Sequence, residues 1–442
     1  MAGEARDRNR LVVARREENV VRSGRNRWVK WVIAPALLVG LTSGSTVAAA
    51  QEASPAAGPP GPPAGCEIVA DGLMSPRQLA IATDGTLYVT EAGTGGDEVL
   101  DIGAPGEEED AAVASPAADA EPEGPPVTRG TTGQVTSVNQ AGEQLVVASG
   151  LPSYSFGVGP VGIALGDGVI YVAIGGIYAP DLEPLPNENA VVAIDMASGE
   201  VTTVAELGSF EVENNPDGTD VNPNLYGMDL GADGALYVAD AGGNTVYRVD
   251  PATGEVALLG VVPSPEFPAL AAPASPESGT PPAEESEALH PVPTGVDAAA
   301  DGNVYVGLLG PFVPGTGGVV IAQADGTFVD AATGLITVIG VALGPDGALY
   351  ASQFTAGGEE GEELGPGNVV RVGADGAAEV VIDGLVTPNG IAFDDTGNLY
   401  VVVNSAVFGP PGPPAGQVLR CDGVAAGTDV AAPSDAVATP VT

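Results

Sequence analysis

One histidine and two cysteines make up this chain's whole supply of imidazole and thiol. His290 lies in a Pro/Ala/Glu-rich stretch, so a Ser-His-Asp triad, a Cys-His dyad and a histidine-rich zinc or iron centre are not expected. No P-loop occurs, and the Gly-rich stretches do not open helices, which sets nucleotide-binding motifs aside. What remains is oxygen chemistry. Glu91, Asp240, Gln353 and Asn404 each follow a short apolar run that contains a tyrosine, and Asn389 sits in a Thr-Pro-Asn-Gly segment. Such donors suit Ca²⁺, which takes six to eight oxygens at about 2.3–2.6 Å. The plainer alternative is that they satisfy backbone groups at strand ends and hold water.

The elements that carry these residues repeat. Six segments share a short apolar strand, a tight turn and a second strand opening on an apolar residue and Tyr: 76–93, 159–176, 224–243, 292–310, 336–354 and 387–404. The marker tyrosines are Tyr88, Tyr171, Tyr237, Tyr305, Tyr350 and Tyr400, separated by 83, 66, 68, 45 and 50 residues. The shorter spacings match the 40–50 residues of a four-stranded propeller blade. Five of the six turns carry Asp-Gly and the sixth carries Thr396-Gly397, as expected where a hairpin needs positive φ. Two further strand-like runs complete each unit, for example 244–250 and 255–262. The expected fold is all-β, a six-bladed β-propeller of four-stranded antiparallel blades with strands a to d running outward from the centre.

Ring closure and site positions follow from this register. The segment 66–71 resembles the fourth strands of other units, whereas the last unit ends on a third strand at 416–423. Strand 66–71 is therefore expected to complete the last blade and remove two open edges. That places Cys66 beside Cys421 and predicts a disulfide, with two free thiols as the alternative. Each strand a starts at the central channel. The residues there are read as Gln78, Val161, Tyr226, Thr294, Ile339 and Asn389, with Glu91, Asp240, Gln353 and Asn404 ringing the top. The long segments 101–128, 177–189, 209–223, 263–291, 357–366 and 408–415 all fall between strands b and c or d and a, hence on one face. Two of them, 101–128 and 263–291, have the acidic, Pro/Ala-rich composition of solubilising inserts.

Charge and the N-terminus bound the setting. Nine of the 14 basic residues lie in the first 30 positions; beyond Ala50 only five arginines face 54 carboxylates. Such a surface repels nucleic acid and anionic lipid. Residues 1–50 have the layout of an export signal, with an Arg-rich start, the apolar run 31–41 and Ala48-Ala49-Ala50 before Gln51. An uncleaved anchor is the alternative, and lipid attachment at Cys66 a third. A Pro/Gly-rich linker (51–65), one propeller domain (66–423) and a disordered tail (424–442) would follow. The mature chain is expected to be secreted, monomeric and without stable membrane association.

The opening GLMSPRQLAIATDGTLYVTEAGTGG (72–96) resembles the first repeat of the ScyD/ScyE family, exported propeller-like proteins named from scytonemin pigment clusters. Later repeats resemble NHL-type and SMP-30/gluconolactonase-like units. The resemblance covers 66–423 apart from the inserts, and implies a six-bladed exported propeller of unsettled role. Lactonase relatives hold a channel metal by Glu, Asn and Asp. Asn389 matches the Asn of their Pro-Asn-Gly motif, and Glu91 or Asp240 could match an acid, but the second and fourth units offer only Ala173, Ile174, Leu308 and Leu309 there. The favoured reading is a binding or scaffolding propeller that uses its looped face for a protein, glycan or small molecule. The alternatives are a Ca²⁺-dependent lactonase or ester hydrolase, and an accessory protein of secondary-metabolite biosynthesis.

Overall fold

The structure is a computed structural model and describes residues 61–100, 126–264, 290–357, 365–405 and 415–425. Residues 1–50, read above as an export signal, most of the inserts 101–128 and 263–291, and the tail from 426 onward lie outside the described residues. Six antiparallel sheets form the blades of a six-bladed β-propeller. The innermost strands are Pro76–Ile81, Pro160–Leu165, Leu225–Leu230, Pro293–Ala298, Val338–Leu343 and Ile391–Phe393. Each adjoins the next, and the last returns to the first. The third blade is typical: Leu225–Leu230, Leu236–Asp240, Thr245–Val249 and Val256–Val261 pair in that order. The first blade carries an extra two-residue strand, Glu98–Val99, against Thr128–Val138.

The alternation of each strand decides the core. One face of each blade packs on the facing blade, giving six apolar clusters, one per junction. Leu225, Met228, Leu236 and Val238 of the third blade meet Ala173 and Val191 of the second. Ala70, Leu73, Val402 and Val418 of the last blade meet Leu79, Leu87, Val89 and Val138 of the first, so the ring closes on the same apolar contact as elsewhere. The strand Cys66–Leu73 pairs with Gly416–Cys421 to complete the last blade. Cys66 and Cys421 are register partners and form a disulfide with Cα atoms 4.0 Å apart.

The six a–b turns place their glycine at positive φ, from 72° at Gly168 to 90° at Gly302, and Asp side chains cap several of them, as Asp84 does by accepting the Thr86 N–H at 2.9 Å. These turns and the c–d turns share one face. The opposite face carries every longer connection within the described residues. There Leu100, Val127 and Tyr154 form a small apolar cluster with Ile177 and Leu182. Glu188 fixes that cluster by accepting from the Tyr154 hydroxyl at 2.5 Å and from the Ile177 and Leu185 N–H groups.

Two details go beyond the repeat pattern. The long segment 209–223 overlaps a helix, Leu207–Asn214, which buries Leu207 and Glu211. Past the last strand the Tyr350 hydroxyl donates to the Val424 carbonyl at 3.4 Å, and Ala425 is buried against the last blade.

Candidate binding site at the channel mouth

A glycine two places inside the innermost strand sets the width of the channel. A Cβ on Gly295 would stand 2.7 Å from the Gly340 Cα, and one on Gly340 would stand 2.7 Å from the Asn389 carbonyl oxygen. Neighbouring innermost strands therefore touch backbone to backbone. The first blade departs from this. Strand pairing aligns Pro76 with Leu225 and Pro293, each opposite the last residue of strand b. Arg77, and not Gln78, is thus the counterpart of Tyr226, Thr294 and Asn389. Gln78 occupies the glycine position and lines the channel.

The residues preceding these glycines form the mouth. Tyr226 and Asn389 meet across it: the Asn389 amide donates to the Tyr226 hydroxyl at 2.8 Å. Asn389 is fully buried, and its carbonyl accepts from the Ser352 hydroxyl at 2.6 Å. The Thr294 hydroxyl is turned inward onto the Gly307 and Val338 carbonyls and ties two blades together. Val161 and Ile339 contribute apolar surface. Arg77 completes the ring. It is 7% exposed, donates to the Gly157 carbonyl and lies beside the Tyr226 hydroxyl, yet its Nε has no partner among the described residues. Burial lowers the Arg77 pKa and raises that of Tyr226, and the attraction between guanidinium and hydroxyl opposes both shifts. Among the described residues the other four arginines all pair with carboxylates; Arg77 alone does not.

Below this ring lies a cavity of about 330 Å³, lined by Gln78 and by residues of all six blades, among them two acids, Asp229 and Asp297. These carboxylates replace the alanines of other blades, and nothing in the residue pattern of their strands marks them out. Asp229 accepts the Ala298 N–H at 2.8 Å, and Asp297 accepts the Leu343 N–H at 2.9 Å, each reaching the next blade. Burial pushes the Asp229 carboxyl up to about 7, with the Asp297 charge adding to it, and burial also raises Asp297.

The oxygen donors expected to ring the channel do something else. Glu91 accepts from the Met74 N–H, the Gln134 amide and the Thr136 hydroxyl. Asp240 accepts the Asn224 N–H at 2.8 Å, and Gln353 accepts the Ile336 N–H at 2.8 Å. These three thus hold the chain just before strand a in their own blades. Asn404 stands one residue beyond the equivalent register position and donates to Gln417 at 3.3 Å. Glu91, Asp240 and Gln353 are thus turned to the backbone of three different blades, and no three Asp, Glu, His or Cys side chains converge among the described residues. His290 lies 2.8 Å from the Asn244 amide on the looped face, away from the channel.

No family model and no curated protein matches the chain. Solved structures resemble it in fold at low identity. A catalytically inactive virginiamycin B lyase from Staphylococcus aureus is 14% identical, with 78% of this chain and 94% of that one covered and a TM-score of 0.42. The PQQ-bound aldose sugar dehydrogenase from Streptomyces coelicolor is 16% identical, covering 81% and 99%, with a TM-score of 0.43. A gluconolactonase from Xanthomonas campestris is 17% identical, covering 59% and 76%, with a TM-score of 0.36. These likenesses carry no argument about activity. No helix among the described residues is long and apolar enough to cross a membrane.

Proposed function

We propose that this protein is an exported binding propeller that receives a small carboxylate-bearing molecule at the loop-bearing mouth of its channel. One observation carries the reading. In a chain of 54 carboxylates and five arginines beyond the export segment, the one arginine set into the channel mouth is buried and has no carboxylate partner among the described residues. Holding an unpaired guanidinium out of water costs several kcal/mol, and an anionic oxygen seated on it offsets that cost. Arg77 presents a planar fork suited to a carboxylate, while Tyr226 and Asn389 add a hydroxyl and an amide beside it.

The test is Arg77→Met, which keeps the stem and removes the charge. Small carboxylates screened by thermal shift should raise the melting temperature of the parent chain, and the variant should lose that response. Equal responses in both would overturn the reading. Membership of the ScyD/ScyE group and secretion belong to the same proposal, supported by the quoted 72–96 segment and the Cys66–Cys421 disulfide. Metal-dependent lactone hydrolysis is the weaker reading, since the side chains it would need are engaged with the backbone of their own blades.

A further inference from the structure

A second site lies outside the channel, where the helix Leu207–Asn214 packs against the b–c turn of the third blade. Glu211 and Asp240 are both fully buried there. Asp240 Oδ1 accepts from the Asn224, Gly242 and Gly243 N–H groups, but Oδ2 has no partner among the described residues. Glu211 Oε2 accepts from the Tyr247 hydroxyl at 3.2 Å, and Oε1 likewise has no partner. A Cβ added to Gly243 would stand 3.1 Å from Asp240 Oδ2 and 3.1 Å from Glu211 Oε2, so the glycine keeps open a space bordered by both carboxylates. Thr245, the register partner of Asp240, adds a buried hydroxyl oxygen.

The first blade provides an internal comparison. Glu91 holds the same register position as Asp240, and there Gln134 and Thr136 of strand c fill its second oxygen. In the third blade no donor among the described residues reaches the equivalent oxygen. The nearby Asn244 amide donates instead to Asp217, whose charge adds to the local excess. Buried carboxylate oxygens without donors are costly unless a cation neutralises them.

We propose that Glu211 and Asp240 bind a hard divalent cation, Ca²⁺, between the helix and the third blade. The donors are all oxygens, which favours Ca²⁺ over softer metals. A bound ion would pin the insertion 207–224 to the blade and thereby shape the looped face. This site is independent of the ligand proposed for the channel mouth.

Tb³⁺ serves as the probe in the full chain stripped with EDTA, because the Tyr247 ring beside Glu211 can sensitise its emission. Excitation of tyrosine should give saturable Tb³⁺ emission at one equivalent, displaced by Ca²⁺, and Ca²⁺ should raise the melting temperature. Glu211→Gln and Asp240→Asn should each weaken binding by about tenfold or more, whereas Asp375→Asn, in an exposed turn of the fifth blade, should leave it unchanged. In EDTA, Glu211→Gln should melt no lower than the parent, since it removes a buried charge, and this shows that the variant folds. The proposal is overturned if the parent shows no saturable emission and no Ca²⁺ response. It is equally overturned if Glu211→Gln keeps both, or if melting follows pH alone, as for two carboxyls that share a proton.

Discussion

Tyr226 and Asn389 are 163 residues apart in sequence and three blades apart in a ring of six, yet the amide of one donates to the hydroxyl of the other at 2.8 Å. The channel is narrow enough for one tyrosine to cross it, because glycines let the innermost strands touch. The pair forms a crossbar at the looped end, above the cavity. Tyr226→Phe should remove it at a cost of about 1 kcal/mol in stability. It should also weaken any carboxylate held by Arg77, because the hydroxyl beside the guanidinium is lost. Calorimetric titration of the parent and variant with the same ligand checks this.

The disulfide joins residues 355 positions apart, and its removal frees almost the whole propeller in the unfolded state. The double variant Cys66→Ser/Cys421→Ser should lose about 2–5 kcal/mol. A urea midpoint equal to that of the parent would contradict a stapling role.

Glycine contributes in two physically different ways. A Cβ on Gly340 would strike the Asn389 carbonyl and the Ser352 hydroxyl, each at 2.7 Å, so Gly340→Ala should cost about 1–3 kcal/mol through overpacking. Gly234 has open space around it but φ of 79°, so Gly234→Ala should cost about 1–2 kcal/mol through backbone strain alone. Thermal melts of the pair compare the two effects, and loss of cavity order should accompany only the first.

The Asp229 carboxyl titrates at about 7 in the folded chain, against an ordinary aspartate value of 3.8 once the chain unfolds. The folded state therefore holds its proton more tightly than the unfolded state. Its contribution is fully present below about pH 4, declines as pH rises to about 7 and is flat above that. The expected loss is on the order of a few kcal/mol. Asp229→Asn should flatten this slope and be the more stable form at about pH 8, as denaturant midpoints across that range would show.

Beyond residue 50 the chain carries 54 carboxylates against five arginines and so repels itself. Raising NaCl from about 0.05 to about 1 M should increase the melting temperature by several degrees through screening. A flat response would mean that the exposed acids lie too far apart to interact.

The architecture is legible in the sequence because its signals are local and repeated. Tyr237 and Tyr350 follow Asp-Gly turns that can be counted along the chain, and Cys66 and Cys421 bracket a missing hairpin. The mouth is legible only in part. Tyr226, Thr294 and Asn389 precede the marker glycine, but Gln78 replaces that glycine in the first unit and moves the apparent register one place away from Arg77. Asp229 and Asp297 escape notice because they sit where other units carry alanine, inside runs that read simply as apolar strands. Glu91, Asp240 and Gln353 have the residue types of metal ligands, yet Met74, Asn224 and Ile336 each present a backbone N–H that needs an acceptor. Glu211 lies in an insertion with no periodic pattern, so neither its helix nor its burial beside Asp240 is written in local sequence.

The closing strand has a consequence for how the molecule can be displayed. Cys421 ends a third strand and Cys66 begins a fourth, so the chain enters and leaves the ring on the tight-turn side. Anything joined close to Cys66 or Cys421 emerges on the side opposite the mouth. A copy held by a short attachment there would stand like a cup on its base, with the mouth bordered by Arg77, Tyr226 and Asn389 turned away from the support.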